Sequence, residues 1–510
     1  MSASFWSTAR AAPDRIAVID TDDRAITAGA LLAEVDRLSH AFSARGLVPG
    51  DAIAFDLTNR VELLEVYLAA LQCGLYVTPI NTHLLHGEVA HILADSGAKL
   101  CFYESATAEA ARAACTEVGL AATDTLCVND EAYRAFKSAQ PATEPHARRL
   151  GAAFLYTSGT TGRPKGVRRP LPIGAPEDAL RAEYYLGLYG IAPGGDQVHL
   201  VCAPLHHGAA LNWCVDHLHL GHAAVLREKW TPEGMLAAIE AHRVTATMVV
   251  PTHFKRLLAL PAGARTTHDL SSLRHVIHTG APCAPDVKQQ MMAWWGPVIY
   301  EVYAASEGAA TMVTPAQWLA RPGTVGKAFP FARVRVLRPD GTDCAPGEPG
   351  EVYIRHAGSR FSYHNDRDKT ERAWRDAFFT VGDIGYLDAE GYLFLCDRSS
   401  DVIVSGGVNI YPSEIEQVLG AHPAVADAAV IGTPDDEWGE RVTALVALAP
   451  GATASDELVT ELATHCRARL AGFKCPRTIE VVASLPRGDN GKLARRELRE
   501  PYWRGRSRAI

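Results

Sequence analysis

Residues Tyr156–Val167 read Tyr-Thr-Ser-Gly-Thr-Thr-Gly-Arg-Pro-Lys-Gly-Val, the most informative segment of this chain. The segment combines three glycines, four Ser or Thr hydroxyls and one lysine, Lys165. Such a loop can surround phosphate oxygens with backbone N–H groups and hydroxyls, while the lysine supplies positive charge. It is not a Walker A loop, because Arg163 and Pro164 separate Gly162 from the lysine. Taken alone, the segment fits either a phosphate-binding loop or a plain surface loop.

Apolar runs on both sides of this loop alternate with helical patterns. The run Ala52–Leu57 is followed by a helical pattern, by Gly74 and by a second run, Tyr76–Ile80. This strand–helix–strand alternation is typical of a parallel α/β sheet, so we predict a large N-terminal α/β body with parallel sheets. Further candidate strands are Lys99–Tyr103, Val198–Cys202, Ala223–Leu226, Ala246–Val250, His275–His278 and Pro297–Tyr300, with a helix near Pro232–His242.

The pattern changes in the last third of the chain. Short runs separated by Pro-Asp-Gly and Pro-Gly-Glu-Pro-Gly between Gly323 and Ile354 predict a small, β-barrel-like antiparallel part. The remainder predicts a small, mobile C-terminal α+β domain, in which Ser413 and Glu416 fit the capping box of a helix. We therefore predict two domains, residues 1–398 and residues 399–510.

Composition excludes several classes of protein. The 510 residues are 47% hydrophobic and 21% charged, which is typical of a soluble globular protein with more than one core. A net charge of -8 argues against a nucleic-acid partner. The 11 scattered cysteines contain no Cys-x-x-Cys pair, and we expect them to be reduced. Without a signal-peptide pattern or a long apolar stretch, the sequence predicts a cytoplasmic protein with no membrane span; a homodimer is the default expectation for a soluble oligomer.

Further motifs support the phosphate-loop interpretation. Tyr303, Ser306 and Glu307 place a ring, a hydroxyl and a carboxylate close together, which suits base stacking, phosphate contact and Mg²⁺ ligation. Asp383 can accept from both hydroxyls of a ribose, and Lys492 lies in a glycine-flanked turn. Each residue also has a structural explanation, as a core tyrosine, a surface acid or a solvated lysine. Their joint occurrence with the loop predicts a site for ATP and Mg²⁺.

Together with Asp401-Val-Ile-Val-Ser-Gly-Gly-Val-Asn-Ile-Tyr-Pro412, these segments resemble the adenylate-forming superfamily. That superfamily includes acyl-CoA synthetases, non-ribosomal peptide synthetase adenylation domains and firefly luciferase. The resemblance covers essentially the whole chain and is strongest to bacterial fatty-acid- or aryl-CoA ligases. It implies that a carboxylic acid reacts with ATP to give acyl-AMP and pyrophosphate. The C-terminal domain then rotates about a hinge at Ser400, and the thiol of CoA displaces AMP.

The resemblance also implies a role for each matching residue. In the catalytic set, Lys492 contacts the substrate carboxylate and the α-phosphate, and Glu307 binds Mg²⁺. Ser306 touches the α-phosphate, and His207 lies at the mouth of the acyl pocket. The implied ligands of ATP and CoA are Thr157, Ser158, Gly159, Thr160, Thr161 and Lys165 at the phosphates, Gly280, Ala281, Pro282 and Tyr303 at adenine, Asp383 and Arg398 at the ribose, and Gly406 and Gly407 along the pantetheine tunnel.

Departures from the family pattern point to the size of the acid. Ala304 and Ala309 stand where related ligases often have glycine, and Trp213 follows shortly after His207. These larger side chains would narrow the pocket, so we predict a compact acid, either aryl or of short to medium chain length. The alternative is that the alanines only pack against their neighbours.

Other functions stay open. The acceptor could be a carrier protein or an amine rather than CoA, and the acid could be an unusual one such as nitrite. A non-catalytic nucleotide-binding protein would be expected to lack Lys165, Glu307, Asp383 or Lys492, yet all four are present. A zinc site is a further alternative, although the spacing fits no standard ligand pattern. It would use the histidine-rich segment His206, His207, His217, His219 and His222 with Cys214.

Overall fold

The computed structural model describes residues 3–157, 164–356, 360–487 and 492–504. The predicted phosphate ligands Ser158, Gly159, Thr160 and Thr161 lie outside the described residues. The chain divides into two compact units. The described residues of Met1–Val249, Arg256–His278 and Gly358–Arg372 form the first unit, and those of Val250–Lys255, Thr279–Ala357 and Ala373–Ile510 form the second.

The strands of the described residues are short, and seven of them match predicted runs to within one residue at each end. They are β1 (Ile16–Ile19), β2 (Ala25–Thr27), β3 (Ala52–Asp56), β4 (Tyr76–Pro79), β5 (Ala98–Tyr103), β6 (Thr125–Cys127), β7 (Ala152–Ala153), β8 (Leu155–Thr157), β9 (Lys165–Arg168), β10 (Val198–Val201), β11 (Ala223–Leu226), β12 (Ala246–Val249), β13 (His275–His278), β14 (Ile299–Ala305), β15 (Gly308–Val313), β16 (Lys327–Ala328), β17 (Ala332–Leu337), β18 (Gly350–His356), β19 (Ser362–Tyr363), β20 (Trp374–Arg375), β21 (Phe378–Leu387), β22 (Leu393–Arg398), β23 (Ile403–Ser405), β24 (Val408–Ile410), β25 (Val425–Asp435), β26 (Gly439–Leu448) and β27 (Thr478–Val482).

The helices are α1 (Phe5–Ala11), α2 (Ala28–Ala44), α3 (Val61–Gln72), α4 (His86–Ser96), α5 (Ala108–Glu117), α6 (Glu131–Ser138), α7 (Pro176–Ala179), α8 (Ala182–Gly187), α9 (Gly208–His219), α10 (Pro232–Ala241), α11 (Pro251–Leu258), α12 (Ala262–Arg265), α13 (Pro285–Trp295), α14 (Pro315–Ala320), α15 (Arg367–Ala373), α16 (Pro412–Gly420), α17 (Asp456–Arg467) and α18 (Arg495–Trp503). In the part of the chain that the structure describes, no helix is both long and apolar enough to cross a membrane.

Two parallel sheets form the framework of the first unit. One has the order β6-β5-β3-β4-β7, with all neighbours parallel. The other runs β13-β12-β10-β11-β1 in parallel, and β2 pairs with β1 antiparallel. Every residue of β3, β4 and β12 is buried, as expected for parallel strands covered on both faces. The predicted α/β body with parallel sheets is confirmed.

The second unit is mainly antiparallel. Strands β17, β18, β21 and β20 are neighbours in that order, with β22 paired to β21, and they form the predicted barrel-like part. The C-terminal sheet has the order β24-β23-β26-β25, and β27 joins β26 in parallel. Helices α16 and α17 bury Ile415, Leu419, Leu458 and Leu462 in the core of this α+β part. The domain boundary at residues 398 and 399 stays a prediction.

One local prediction was wrong, namely the capping box at Ser413 and Glu416. Helix α16 has Tyr411 as its N-cap and begins with Pro412, whose fixed φ suits the first helical position. The two predicted capping side chains have tertiary partners instead. The Ser413 hydroxyl donates to the Cys396 carbonyl, and Glu416 accepts from Arg495 at 2.9 Å. The sequence pattern did not reveal those distant partners.

Candidate active site

The predicted phosphate loop connects two strands of a hairpin in the first unit. Strands β8 and β9 pair antiparallel, with Leu155 opposite Val167 and Thr157 opposite Lys165. The Lys165 Nζ donates to Asp366 Oδ2 at 2.6 Å, and this hydrogen bond lowers the pKa of the Asp366 carboxyl below its usual value. The lysine is thereby held at the base of the loop.

A second carboxylate braces the same hairpin. The Tyr156 hydroxyl donates to Asp95 Oδ2 at 2.7 Å, and Asn365 Nδ2 donates to Asp95 Oδ1 at 3.0 Å. Burial, followed by the Asp95 carboxylate, raises the pKa of Tyr156, so the phenol stays protonated. Sequence reasoning missed both Asp95 and Asp366, because they lie 61 and 201 positions from the residues that they hold. A local motif carries no signal of such pairings.

In the second unit, Ser306 and Glu307 form the turn between β14 and β15. The strands pair up to this turn, with Ala304 opposite Ala309 and Ala305 opposite Gly308. The Glu307 carboxylate is held at the tip of a hairpin, and the residue is only 9% exposed. Carboxylate oxygens are preferred ligands of Mg²⁺. This position therefore suits the predicted Mg²⁺ ligand.

Tyr303, Asp383 and Arg398 form a connected group in the same unit. The Tyr303 hydroxyl donates to Asp383 Oδ2 at 2.5 Å, while Arg398 Nε lies 3.2 Å from Asp383 Oδ1. Asp383 and Arg398 are direct partners across β21 and β22, so the sheet register aligns the ion pair. Burial and the Asp383 carboxylate both raise the pKa of Tyr303. The ring is thus fixed beside a carboxylate that can accept hydrogen bonds.

Lys492 lies within electrostatic range of this group. Burial is the main cause that lowers the pKa of Lys492, and Arg398 adds to it, whereas Asp383 and Glu307 oppose the shift. The residue is nevertheless exposed to solvent. Surrounding protein atoms therefore lower the pKa of an ammonium group that still reaches solvent. We refer to Tyr303, Glu307, Asp383, Arg398 and Lys492 as the nucleotide cluster.

The predicted adenine turn, Gly280-Ala281-Pro282, follows Thr279 in the second unit. Thr279 Oγ1 donates to the Val302 carbonyl at 2.7 Å, which ties the start of the turn to the strand that carries Tyr303. Gly280 has φ +87, a backbone conformation that favours glycine. The structure therefore brings this turn and Tyr303 to neighbouring positions.

These residues fit a magnesium nucleotide. The nucleotide cluster combines an aromatic ring, a carboxylate for ribose hydroxyls, a second buried carboxylate and a cation. Carboxylate oxygens are preferred Mg²⁺ ligands, and an ammonium group suits a phosphate. The role of each residue in binding ATP nevertheless stays a prediction.

The segment that contains His207 is anchored by a buried asparagine in the first unit. Asn59 Oδ1 accepts from Leu205 N at 2.7 Å, and Asn59 Nδ2 donates to the Ala203 carbonyl at 3.1 Å. His207 is the N-cap residue of α9. One turn and a half further along this helix, Trp213 is 3% exposed. Its ring packs 5.8 Å from that of Tyr185 and 5.1 Å from that of Tyr189; its place in the acid pocket stays a prediction.

The predicted pantetheine-tunnel residues Gly406 and Gly407 form the two-residue turn between β23 and β24. Both have positive φ, +58 and +79, as a tight type I′ hairpin requires. At the predicted hinge, the Ser400 hydroxyl lies 3.2 Å from Asp401 Oδ1, and Arg499 Nη1 donates to the Ser400 carbonyl at 3.0 Å. The structure thus places a tight turn and the residue predicted as hinge on the same C-terminal part.

The histidine-rich segment of α9 is built into the core. His217 and His222 face each other with their Nδ1 atoms 2.8 Å apart, and the rings of His199 and His217 stack at 4.4 Å. His219 Nδ1 accepts from Phe5 N at 3.0 Å. Within the described ranges, no group of three or more His, Cys, Asp or Glu side chains is arranged to hold a metal ion. The zinc alternative therefore has no support from these contacts.

Comparisons with known proteins show the family of this chain. The model of the family "AMP-binding enzyme" matches residues 5–363, and that of the "AMP-binding enzyme C-terminal domain" matches residues 414–492. The fatty acid–[acyl-carrier-protein] ligase ScoC of Streptomyces coeruleorubidus is 32% identical over 500 residues, covering 96% of this chain and 94% of that protein. A feruloyl-CoA synthase of an Amycolatopsis species is 33% identical over 483 residues, covering 94% of each chain.

A solved structure is similar over the same length. The o-succinylbenzoate CoA synthetase of Bacillus subtilis, in complex with its acyl-adenylate intermediate, has a TM-score of 0.82 and 28% identity, covering 98% of each chain. The same enzyme has also been solved with ATP and a magnesium ion. The chain therefore belongs to the AMP-binding, adenylate-forming enzyme family and is an AMP-forming acid–thiol ligase of the acyl-CoA synthetase class, whose cofactors include ATP and Mg²⁺.

Proposed function

We propose that this enzyme activates a compact carboxylic acid, aryl or of short to medium chain length, and transfers it to the thiol of CoA. The observation that carries the proposal is the nucleotide cluster, in which Tyr303 and Arg398 hold the Asp383 carboxylate from two sides. Lys492 and Glu307 lie within electrostatic range of the same group. The arrangement supplies a platform for a base, acceptors for a ribose and a cation for a phosphate.

In the first half-reaction, a carboxylate oxygen of the acid attacks the α-phosphorus of ATP, and the bond to the pyrophosphate oxygen breaks. The nucleophile is already an anion, so no base is needed to remove a proton. The barrier arises from bringing two anions together, and groups that neutralise charge lower it. Lys492 provides one such charge, and Mg²⁺ bound at Glu307 would provide further charge to the phosphates. Lys165 and the loop residues Ser158, Thr160 and Thr161 would hold the outgoing phosphates.

In the second half-reaction, the thiol sulfur of CoA attacks the acyl carbon, and the bond between that carbon and the AMP oxygen breaks. The thiol proton passes to solvent, and AMP leaves as the second product. For this step we propose that residues 399–510 rotate about Ser400, so that the turn at Gly406 and Gly407 lies along pantetheine. The small hinge side chain and the short turn are compatible with that rotation.

The size of the acid follows from the side chains near the predicted pocket. Ala304 and Ala309 are direct partners across β14 and β15, so their methyl groups lie next to each other on one face of the hairpin. Trp213 adds a large ring to the segment after His207. Glycines at 304 and 309 would leave room for a longer acyl chain. We therefore propose a benzoate-sized or shorter acid over a palmitate-sized one.

A carrier protein is the second candidate acceptor. The similarity to ScoC, which is named as an acyl-carrier-protein ligase, favours it. Its phosphopantetheine thiol would react with acyl-AMP by the same bond changes as CoA. The two acceptors differ in the surface that must recognise them, because a carrier protein presents a folded domain beside the thiol.

Pyrophosphate release measured over a panel of carboxylic acids and one simple oxyacid tests the proposal. The panel includes benzoate, cinnamate, straight-chain acids from butyrate to palmitate, and nitrite. Each is assayed alone, with CoA, with a phosphopantetheinylated carrier protein and with simple amines. We expect release with compact acids and a CoA-dependent rise in AMP. Pyrophosphate release with palmitate far above that with every compact acid would contradict the proposed substrate class. If a thioester forms only on the carrier protein, the carrier protein rather than CoA is the acceptor.

A further inference from the structure

The segment that carries Lys492 is held at both ends on one strand of the C-terminal sheet. Leu485, which precedes the segment, and Leu493, which directly follows Lys492, pack in one apolar cluster with Ala429 and Ile431 of β25. Residues two apart in a strand point to the same side, so Ala429 and Ile431 mark one face of β25. Both ends of the segment therefore lie on that face.

The two ends are also joined to each other. Arg487 and Leu493 are antiparallel partners across an isolated β-bridge, and Ala494 N donates to the Pro486 carbonyl at 2.9 Å. Lys492 immediately precedes Leu493 in the chain. A shift of Arg487 is therefore expected to shift Lys492 as well, because the lysine is the neighbour of the residue that Arg487 faces.

Arg487 is in turn held by a carboxylate of β25. Arg487 Nε donates to Asp427 Oδ2 at 2.8 Å, and Arg487 Nη2 donates to Asp427 Oδ1 at 2.7 Å. Asp427 lies two positions before Ala429, so its side chain is on the face of β25 that carries the apolar cluster. Two parallel N–H···O bonds fix the orientation of a guanidinium group as well as its distance. Asp427 thereby fixes Arg487 against β25.

A second cation reaches the same carboxylate from an earlier part of the chain. Lys255, in α11, belongs to the same compact unit as Asp427, and its Nζ lies 3.6 Å from Asp427 Oδ1. The Lys255 side chain is 48% exposed, and that of Asp427 is 23% exposed. A single, exposed ion pair contributes little, so we expect Lys255 to hold Asp427 less firmly than the bidentate Arg487 does.

The position of the Lys492 ammonium group matters for adenylation. Lys492 lies within electrostatic range of Asp383, Glu307 and Arg398. A charged group stabilises a transition state only if it already stands where charge develops, since moving it there during the reaction costs free energy. A misplacement of about 1 Å can slow catalysis by about 10²-fold.

We propose that Asp427 is a positioning residue for Lys492 and that it acts through Arg487. The inference rests on the proposed function, in which Lys492 neutralises charge while acyl-AMP forms. Without the Asp427 carboxylate, Arg487 loses its bidentate partner, and the segment that carries Lys492 gains freedom. Adenylation must then order that segment again, which raises the barrier.

The test combines Asp427→Ala with Lys492→Ala in the full-length enzyme. ATP–pyrophosphate exchange is measured with an acid that the pyrophosphate-release panel identifies as a substrate. We expect Asp427→Ala alone to lower exchange by about tenfold. In the Lys492→Ala background it should lower exchange by less than about twofold, because no ammonium group is left to position. Asp427→Asn, which keeps one acceptor oxygen for Arg487, should lower exchange less than Asp427→Ala does.

Glu414→Ala is the matched control. Glu414 is a carboxylate of the same C-terminal part, and both of its oxygens accept from Lys474 Nζ at 2.8 Å. Its removal should change exchange by less than about twofold, because an exposed ion pair contributes little. A loss of exchange caused only by lower stability would appear with and without Lys492, so the pair of backgrounds distinguishes positioning from a general structural role.

The outcomes separate this inference from the proposed function. Equal exchange in Asp427→Ala and the wild type overturns the role of Asp427 and leaves adenylation intact. A loss of the same size in both backgrounds also overturns it, since Asp427 would then act independently of Lys492. A wild type that shows no exchange with any acid of the panel overturns the proposed function, and this inference with it.

Discussion

Lys492 is the residue whose charge matters most for the first half-reaction. It lies within electrostatic range of Asp383 and Glu307, and its pKa is already lowered by burial. We predict that Lys492→Ala slows acyl-AMP formation by about 10²–10³-fold, as is usual when one preorganised electrostatic group is lost. Thioester formation from preformed acyl-AMP should be largely kept, because we propose that residues 399–510, which include the lysine, rotate before that step. ATP–pyrophosphate exchange and single-turnover thioester assays measure the two halves separately.

Lys474 supplies the matched control for that substitution. It lies on the same C-terminal part, and its Nζ pairs with Glu414 at 2.8 Å on the surface. Exposed ion pairs contribute little to stability, so Lys474→Ala should leave the fold intact. The rate of ATP–pyrophosphate exchange should therefore change by less than about twofold. Near-normal exchange in Lys492→Ala, or an equal loss in both variants, would contradict the assignment.

The Tyr303 hydroxyl is expected to position Asp383 rather than to react. Its 2.5 Å hydrogen bond and the Arg398 ion pair hold the carboxylate from two sides. We predict that Tyr303→Phe raises the KM for ATP by about three- to tenfold, since a hydrogen bond to a charged group contributes roughly 1.5 kcal/mol or less when a second partner remains. The kcat should change less than the KM. An unchanged KM for ATP would show that Arg398 alone fixes Asp383.

At the scale of single elements, the β23–β24 hairpin is the most sharply constrained. A Cβ at Gly406 would lie 2.5 Å from Trp438 Cε3, whereas a Cβ at Gly407 would meet nothing within 4 Å. Both positions have positive φ, so alanine adds about 1 kcal/mol of backbone strain at each. Only an alanine at position 406 would also clash with the Trp438 ring. We predict that Gly406→Ala lowers the thermal midpoint and the thioester rate more than Gly407→Ala does.

The Trp438→Ala background separates the clash from the strain. Removing the indole should bring Gly406→Ala close to Gly407→Ala in thermal midpoint, because only backbone strain then remains. Differential scanning fluorimetry of the single and double variants gives the comparison. If Gly406→Ala still has a lower thermal midpoint than Gly407→Ala when Trp438 is absent, the clash is not the cause of the difference.

For the whole molecule, buried neutral histidines predict acid sensitivity. Burial lowers the pKa of His199 and His219 to about 3 and that of His222 to about 4. In the unfolded chain these groups titrate near 6.5, so below that pH the unfolded state binds protons that the folded state does not. Above about pH 6.5 these histidines therefore do not reduce the free energy of unfolding. As the pH decreases toward 4, the free energy of unfolding falls by up to about 1.4 kcal/mol per pH unit for each histidine.

The acid sensitivity can be measured as the change in thermal midpoint between pH 7.5 and pH 5. We predict that His199→Phe, which removes one buried titrating group, makes this change smaller than in the wild type. His146→Gln is the control, because His146 is exposed. An equal pH dependence in all three proteins would contradict the assignment of acid sensitivity to the buried histidines.

The domain boundary can be tested on the whole chain as well. We propose that residues 399–510 move as one body about Ser400. Limited proteolysis with a protease of broad specificity should then cut first between residues 398 and 401, and an acyl-AMP analogue should slow that cut. First fragments that begin elsewhere would contradict the boundary.

The main elements could be predicted because local patterns encode them. Ala223–Leu226 and His275–His278 were predicted with the bounds that the structure has. Their apolar runs are long enough to be buried and are ended by glycine or polar turns. The start of α16 was predicted incorrectly, because Ser413 and Glu416 bind Cys396 and Arg495 rather than the helix end. A capping pattern describes what a side chain can do locally, whereas competing tertiary partners decide what it does.

The sequence by itself determined the family and predicted the site: a loop for phosphates, an aromatic–hydroxyl–carboxylate motif, a carboxylate for a ribose and a C-terminal lysine, each recognised by residue type and spacing. Tertiary structure alone decided which groups hold them, such as Asp366 on Lys165, Asp95 on Tyr156 and Asp383 on Tyr303, across 201, 61 and 80 positions. The physical reason is that residue type sets which bonds a side chain can form, while burial and chain topology select the partner among distant candidates.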